Sequence, residues 1–199
     1  LNTLKRSRTT DVSAILEKYE ASGKQQRSNS VEDDPRFWQL EKDKLGNGSA
    51  TIRFLPNIEG DEFNAPWVPV YSFGFQGKNG WYVEECLKTI GKPDPALEYV
   101  NSLWATKDPD NIALAKKYAI RNRFISNIYV VSDPAHPENN GKVFMFRYGK
   151  DIHNKLLKLM DPPFEDIKRI NPFDLWEGAN FRFRMRQKDK RANYDDSSF

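Results

Sequence analysis

The segment Phe181-Arg182-Phe183-Arg184-Met185-Arg186 alternates apolar and cationic side chains without a break. Only an extended strand sends such neighbours to opposite faces. The stretch therefore predicts a strand with one face in a core and three arginines, Arg182, Arg184 and Arg186, along the other. Like charges in a row repel one another. They either blunt an exposed strand against aggregation or await an anion, and phosphate is the expected one.

The same period of two recurs upstream. Ala50, Ile52 and Phe54 alternate with Thr51 and Arg53, and Pro56 closes that strand. Tyr71, Phe73 and Phe75 alternate next; Gly77-Lys78-Asn79-Gly80 then supplies turn chemistry before Trp81-Tyr82-Val83, which predicts a hairpin. Further strands are expected at about 123–131, 143–148 and 181–187. Helical spacing appears in Leu97, Val100 and Trp104 after Pro95, in a short run from Asp108-Pro109 to Ala119, and in Ile152, Leu156 and Leu159 before Pro162-Pro163. Short alternating strands interrupted by helices predict an α+β protein round a small β-barrel, and the OB-fold is the barrel most used for single strands.

The N-terminal part is different. Residues 1–20 read as a basic arm followed by a helix, with Thr10 as N-cap and Val12, Ile15, Leu16 and Tyr19 on one apolar face. Residues 21–36 are polar and read as a linker. The core is expected over 37–199, with a small subdomain at about 64–104.

Charge is segregated along the chain. Segments 1–10, 111–132, 142–150 and 181–191 hold sixteen of the 31 Lys and Arg residues but one of the 28 acids, Asp189. A solvated surface with no polyanion to meet mixes its signs more evenly, so the pattern points to a nucleic-acid face. In Lys116-Lys117-Tyr118-Ala119-Ile120-Arg121-Asn122-Arg123-Phe124 cations and rings interleave. Single strands are held in that way, cations following phosphates and rings stacking on bases; core packing is the competing explanation for Tyr118 and Phe124. Phe144, Phe146 and Tyr148 share one strand face and Arg147 takes the other. All four can face a strand of DNA only if the backbone twists or bulges there. Tyr194 follows the basic strand, either as a contact or as a plain surface residue.

Other chemistries find less support. There is no phosphate-binding glycine loop with its lysine, no Gly-x-Ser-x-Gly elbow and no His-x-Glu pair, and His136 and His153 both read as surface residues. Glu84-Glu85, Asp108 with Asp110, and Asp195-Asp196 could serve a metal-dependent, structure-specific nuclease, but they lie outside the basic segments; a protein-binding adaptor is the other alternative. Cys86 is the only cysteine, so no disulfide forms within the chain. With two histidines it cannot complete a four-ligand zinc site, and no cofactor is expected. No run approaches the ~20 apolar residues of a membrane span, which predicts a cytosolic address.

An ordered series of phrases runs from about residue 37 onward: Gly46-Asn47-Gly48, Ile52-Arg53-Phe54-Leu55-Pro56, Gly80-Trp81-Tyr82, Asn127-Ile128, Val130-Val131, Asp133-Pro134-Ala135, Pro137-Glu138-Asn139, Gly141-Lys142-Val143-Phe144, Trp176-Glu177-Gly178-Ala179-Asn180-Phe181 and Asn193-Tyr194-Asp195. In these the chain resembles the single-stranded DNA-binding, helix-destabilising proteins of T-even-type bacteriophages. The resemblance implies an OB-fold core with a basic cleft, no catalysis, and a role in phage DNA replication, recombination and repair in the host cytoplasm, among phage replication and recombination proteins. It also implies that Lys5, Arg6, Ser7, Arg8 and Thr9 dock on a neighbouring copy along the strand and so make binding cooperative. By position, Arg53, Trp104, Arg121, Phe124, Phe146, Arg147 and Tyr194 fall where that family places DNA-facing cations or rings. Lys116, Lys117, Arg123, Arg182, Arg184 and Arg186 complete the expected contact set. Two features of the family are not matched. Phe73 stands where its zinc subdomain has a histidine and only Cys86 remains of the cysteines, so packing of Trp67, Phe73, Trp81 and Leu97 is expected to replace the metal. The family's acidic C-terminal tail has no counterpart among these 199 residues.

Overall fold

The computed structural model describes residues 34–57, 65–78, 80–188 and 191–199. The expected arm with Lys5 to Thr9, the helix after it and the linker up to residue 33 lie outside the described residues. Two units divide the chain, Leu1–Gln39 and Leu40–Phe199, and the second carries every element named below.

Seven strands form one antiparallel sheet: β1 (Gly48–Phe54), β2 (Val68–Gly77), β3 (Gly80–Glu85), β4 (Arg121–Ser132), β5 (Val143–Tyr148), β6 (Phe181–Lys188) and β7 (Arg191–Asn193). Three helices accompany it, α1 (Pro95–Ala105), α2 (Pro109–Lys117) and α3 (Lys150–Met160). The strand order is β3-β2-β4-β1-β6-β7, with β5 also paired to β4. Ile128 and Tyr129 pair with both β1 and β5, and Phe124 and Ile125 with both β2 and β5. Hence β1 and β2 share one edge of β4 and β5 takes the other. The sheet is mixed with helices as expected, but no ladder among the described residues closes it into a barrel.

Period two sorts the side chains as the composition predicts. Ala50, Ile52 and Phe54 of β1, Ile128 and Val130 of β4, Phe146 and Tyr148 of β5, and Phe181, Phe183 and Met185 of β6 are buried. Phe54 sits at the centre. Its ring lies 5.5 Å from Tyr148, 5.8 Å from Phe173, 6.0 Å from Phe181, and 6.4 Å from both Phe146 and Phe199, centroid to centroid. Tilted and edge-on geometries dominate, as ring quadrupoles favour.

The last residues guard β6. Arg182 and Ser198 exchange backbone hydrogen bonds of 2.7 and 3.2 Å, and Ser197 Oγ accepts from Arg184 N and donates to its carbonyl. A free strand edge is thereby covered.

Helix starts follow the local chemistry. Asp94 caps α1, accepting from Ala96 N and Leu97 N, and its other oxygen accepts from Leu87 N. These bonds, led by that from Leu87, hold its carboxyl below the usual range. Asp108 caps α2 in the same manner, each cap being followed by proline at the first helical position. The two helices cover one side of β2 through a second apolar cluster of Phe73, Cys86, Val100, Leu103 and Ala115, with Leu97 and Tyr118 against it. A ring and aliphatic groups offer no metal ligand, and burial pushes the Cys86 thiol up, which keeps it protonated. The residues present do not fit a zinc site. Phe73 and Leu97 pack here as expected, whereas Trp67 does not: it lies against His153 and Phe173. Trp81 is 60% exposed, on a strand, β3, that is exposed along its whole length.

His153 also departs from expectation. It is buried against Phe124, ring on ring at 3.6 Å and 9°, since it lies beside Ile152 and three residues before Leu156 on the face that α3 turns inward. Its Nδ1 has no hydrogen-bond partner among the described residues. Burial lowers its pKa from the ordinary 6.5. His136 is held the opposite way, its pKa raised by a hydrogen bond with Glu138 and by the charges of Glu41 and Glu138.

Phe54→Ala is expected to cost roughly 3–5 kcal/mol, because neighbours on several strands cannot all collapse into the void; urea unfolding measures it, and a loss under 1 kcal/mol would contradict the hub. The two histidines set opposite slopes in pH. His153, lowered in the fold, removes stability as pH falls below about 6.5, and His136, raised in the fold, loses its contribution as pH rises above that value. Thermal stability between pH 5 and 8 is expected to peak near 6.5, and His153→Leu should flatten the acid side alone.

Candidate nucleic-acid interface

The side chains that alternate with the core lie on the outer side of the same strands. Cross-strand register sets Arg182 opposite Thr51 and Arg184 opposite Ser49 on β6–β1, and Arg147 opposite Ile125 on β5–β4. Arg121 and Arg123, on β4, stand opposite Ser72 and Val70 of β2. Arginines of β4, β5 and β6 thus share one side of the sheet.

Their counter-ions are few. Arg186 pairs with Asp196 at 2.8 Å and Arg147 with Glu85 at 3.6 Å. Among the described residues no acid lies within 4.0 Å of Arg121, Arg123, Arg182 or Arg184. Of the β6 triplet, Arg186 has an acid within that distance, and Arg182 and Arg184 have none among the described residues. Beside Arg184 and Arg186 lies a cleft of about 690 Å³, whose other charged lining is Lys42 with the acids Glu41 and Asp43.

Two glycines make room for guanidinium groups. A Cβ on Gly74 would stand 2.8 Å from Nη2 of Arg121, and one on Gly149 would stand 2.9 Å from Nη1 of Arg123. Arg121 lies over the indole of Trp81, 5.4 Å from its centroid, a cation–π contact.

The remaining expected residues are distributed elsewhere. Trp104 on α1 is 43% exposed, and Lys116 and Lys117 are exposed at the end of α2. Their positive charge suits a helix C-terminus. Phe124 and Phe146 lie inside: Phe124 is stacked on His153 and Tyr148, and Phe146 packs against Tyr148, Phe183 and Phe54. At 7% and 6% exposure neither presents a ring face to solvent. The twist or bulge that would turn the rings of β5 outward is not found, since β4 and β5 keep an unbroken register from Phe124–Tyr148 to Tyr129–Val143. Tyr194 is half-buried against Phe183 at 5.4 Å; burial raises its pKa, the nearby charge of Arg123 opposes this, and Asp151 adds to it.

Arg53 is committed to the protein itself. Its Nη2 donates to the carbonyls of Asp174, Leu175 and Gly178 at 3.0, 3.2 and 2.9 Å, and its Nη1 donates to Asn180 Oδ1 at 3.3 Å. It gathers the loop that leads into β6. Trp81, Gly74 and Gly149 are the residues that sequence reading did not place at this face. The register between Gly77 and Gly80 was the available signal, since it sets Trp81 opposite Gln76 and Val83 opposite Gly74.

No cluster of three His, Cys, Asp or Glu side chains able to hold a metal ion occurs among the described residues. No helix among them is long and apolar enough to cross a membrane.

Comparison with known proteins adds a second line of observation. Residues 46–198 match the model of the family described as gp32 DNA binding protein like. A protein of Enterobacteria phage T2 named single-stranded DNA-binding protein is 36% identical over 98% of this chain and 63% of its own length. One of the same name from Enterobacteria phage T4 is 38% identical over 84% of this chain and 55% of its own. A third, from Escherichia phage SV14, is 33% identical over 53% of this chain and 92% of its own length. The chain therefore spans a little over half the length of the T2 and T4 relatives.

Arg53→Leu should leave the loop carbonyls without their donor, at a cost of roughly 1–3 kcal/mol. Hydrogen exchange is expected to quicken at amides 174–180 first; uniform quickening across the sheet would show that Arg53 acts on more than this loop.

Proposed function

Because the chain belongs to the gp32 DNA binding protein like family, we propose that it binds single-stranded DNA without reading base sequence and catalyses no reaction. The observation that carries this is the row of outward arginines on β4, β5 and β6, four of them without an acid within 4.0 Å among the described residues, on a sheet whose inner face is filled with rings. Fixed cations along an extended surface track a phosphate backbone. Arg121, Arg123, Arg147, Arg182, Arg184 and Arg186 are assigned to phosphates, with Lys116 and Lys117 extending the track. Trp104 and Tyr194 are assigned to bases. Phe124, Phe146 and Arg53 support these contacts from behind, by fixing the strands and the loop that carry them.

The family also supports the wider reading. The meeting of inner rings from β1, β5 and β6 around Phe54 suits an OB-fold core following an N-terminal arm and linker. Lys5, Arg6, Ser7, Arg8 and Thr9 would join neighbouring copies and make binding cooperative. The protein would then coat single strands during phage replication, recombination and repair in the host cytoplasm, where phage replication and recombination proteins would meet it.

Titration of labelled oligo(dT) and its duplex, with and without magnesium, tests the proposal. Tight binding to the single strand, weak binding to the duplex and intact DNA are expected. The logarithm of the affinity should fall with log salt by roughly 0.7 per phosphate contact, and Arg182→Ala with Arg184→Ala should lower that slope by about 1.4 on every sequence alike. Magnesium-dependent cleavage would favour a nuclease, and absence of affinity at low salt would favour a protein-binding adaptor.

A further inference from the structure

We infer that Trp81 is a stacking platform for a single nucleobase, set beside Arg121 so that one nucleotide is held by its base and its phosphate together. The inference rests on the single-strand reading above and assigns a binding site within it.

Strand register places the parts. Trp81 stands opposite Gln76, Val83 opposite Gly74 and Glu85 opposite Ser72, while Ser72 stands opposite Arg121. By period two, Trp81, Gly74 and Arg121 share one side of the sheet. The helices α1 and α2 occupy the other side of β2, where Phe73 and Phe75 meet them. Nothing in the apolar cluster therefore draws the indole inward. It is 60% exposed, as are its neighbours Tyr82 at 60% and Val83 at 55%.

The cation beside it is seated. Gly74 carries no Cβ, and a Cβ there would be 2.8 Å from the guanidinium; Arg121 therefore rests over the sheet backbone and against the indole at 5.4 Å. A guanidinium placed between backbone and ring has few positions available to it, so less freedom is lost when it meets a phosphate. Gly149 gives Arg123 a second seat two residues along β4. Arg147 joins them on β5, with Glu85 as the acid facing this group. An exposed flat ring with one arginine against it, and further arginines on the same side of the sheet, matches a base on a polyanionic chain better than an apolar protein surface, which would have to strip water from the cations.

The test uses the whole chain with Trp81→Ala, Trp81→Phe and Gly74→Ala. Each is measured by fluorescence anisotropy on an eight-residue oligo(dT) and on an abasic deoxyribose-phosphate strand of equal length, over a range of salt. Thermal unfolding should match the parent, since Trp81 is exposed and a new Cβ at Gly74 meets only the far end of the Arg121 side chain, not backbone. Trp81→Ala is expected to weaken oligo(dT) about five- to 150-fold, the equivalent of one lost base stack. It should spare the abasic strand and leave the salt slope alone, and Trp81→Phe should retain most of the affinity. Gly74→Ala, by moving the cation, should weaken both strands and lower the slope by roughly 0.7. Equal weakening of both strands by Trp81→Ala, or none, would overturn the platform while leaving single-strand binding standing. A parent chain that binds neither strand would instead overturn the single-strand reading, and the platform with it.

Discussion

Phe54 is the side chain on which the rest of the sheet is assembled. Five rings surround it, contributed by β5, β6, the loop before β6 and Phe199. Because a strand alternates its faces, burying Phe54 turns Arg53 outward, and burying Phe181, Phe183 and Met185 in the same core turns three arginines outward on the neighbouring strand. Burial of the rings and display of the cations are one event. Slipping β6 by a single residue would drive its arginines into the aromatic core and expose its rings, and desolvating unpaired guanidinium groups forbids that register.

The same constraint divides the aromatic residues into two classes. Rings at inward positions, such as Phe124 and Phe146, spend their faces on other rings: Phe124 on His153, Phe146 on Phe183 and Phe54. Rings at outward positions or on helix exteriors, such as Trp81 and Trp104, keep theirs. Position by position, family resemblance cannot distinguish the two, since a ring that braces a binding strand and a ring that touches the ligand can both occupy equivalent places in a sequence. Arg53 illustrates the same point for a cation. Its charge and place suit a phosphate contact, yet its donors hold the 174–180 loop against β1.

In the region from β2 through α2, where the family resemblance implies metal ligands, this chain packs Phe73 and a protonated Cys86 among Val100, Leu103 and Ala115. The helices are held by the Phe73 side of β2, and the opposite side carries Gly74, Arg121 and Trp81.

Much of this was legible in the chain because the signals are local. Alternation set which side chains of β1 and β6 point inward, proline with a preceding aspartate marked the starts of α1 and α2, and the glycines after Phe75 marked a hairpin; each depends only on residues a few places apart. The pairing of Ser197 and Ser198 with β6, the stacking of His153 on Phe124 and the exposure of Trp81 depend on segments far apart in sequence. For a histidine beside an apolar stripe, or a tryptophan in a strand, either environment satisfies the local pattern. The sequence by itself determined that this chain builds strands with a ring-lined face and a cationic face, since period two leaves no other assignment. Only the tertiary structure decided which rings remain in water, because that depends on which distant segments pack against each element.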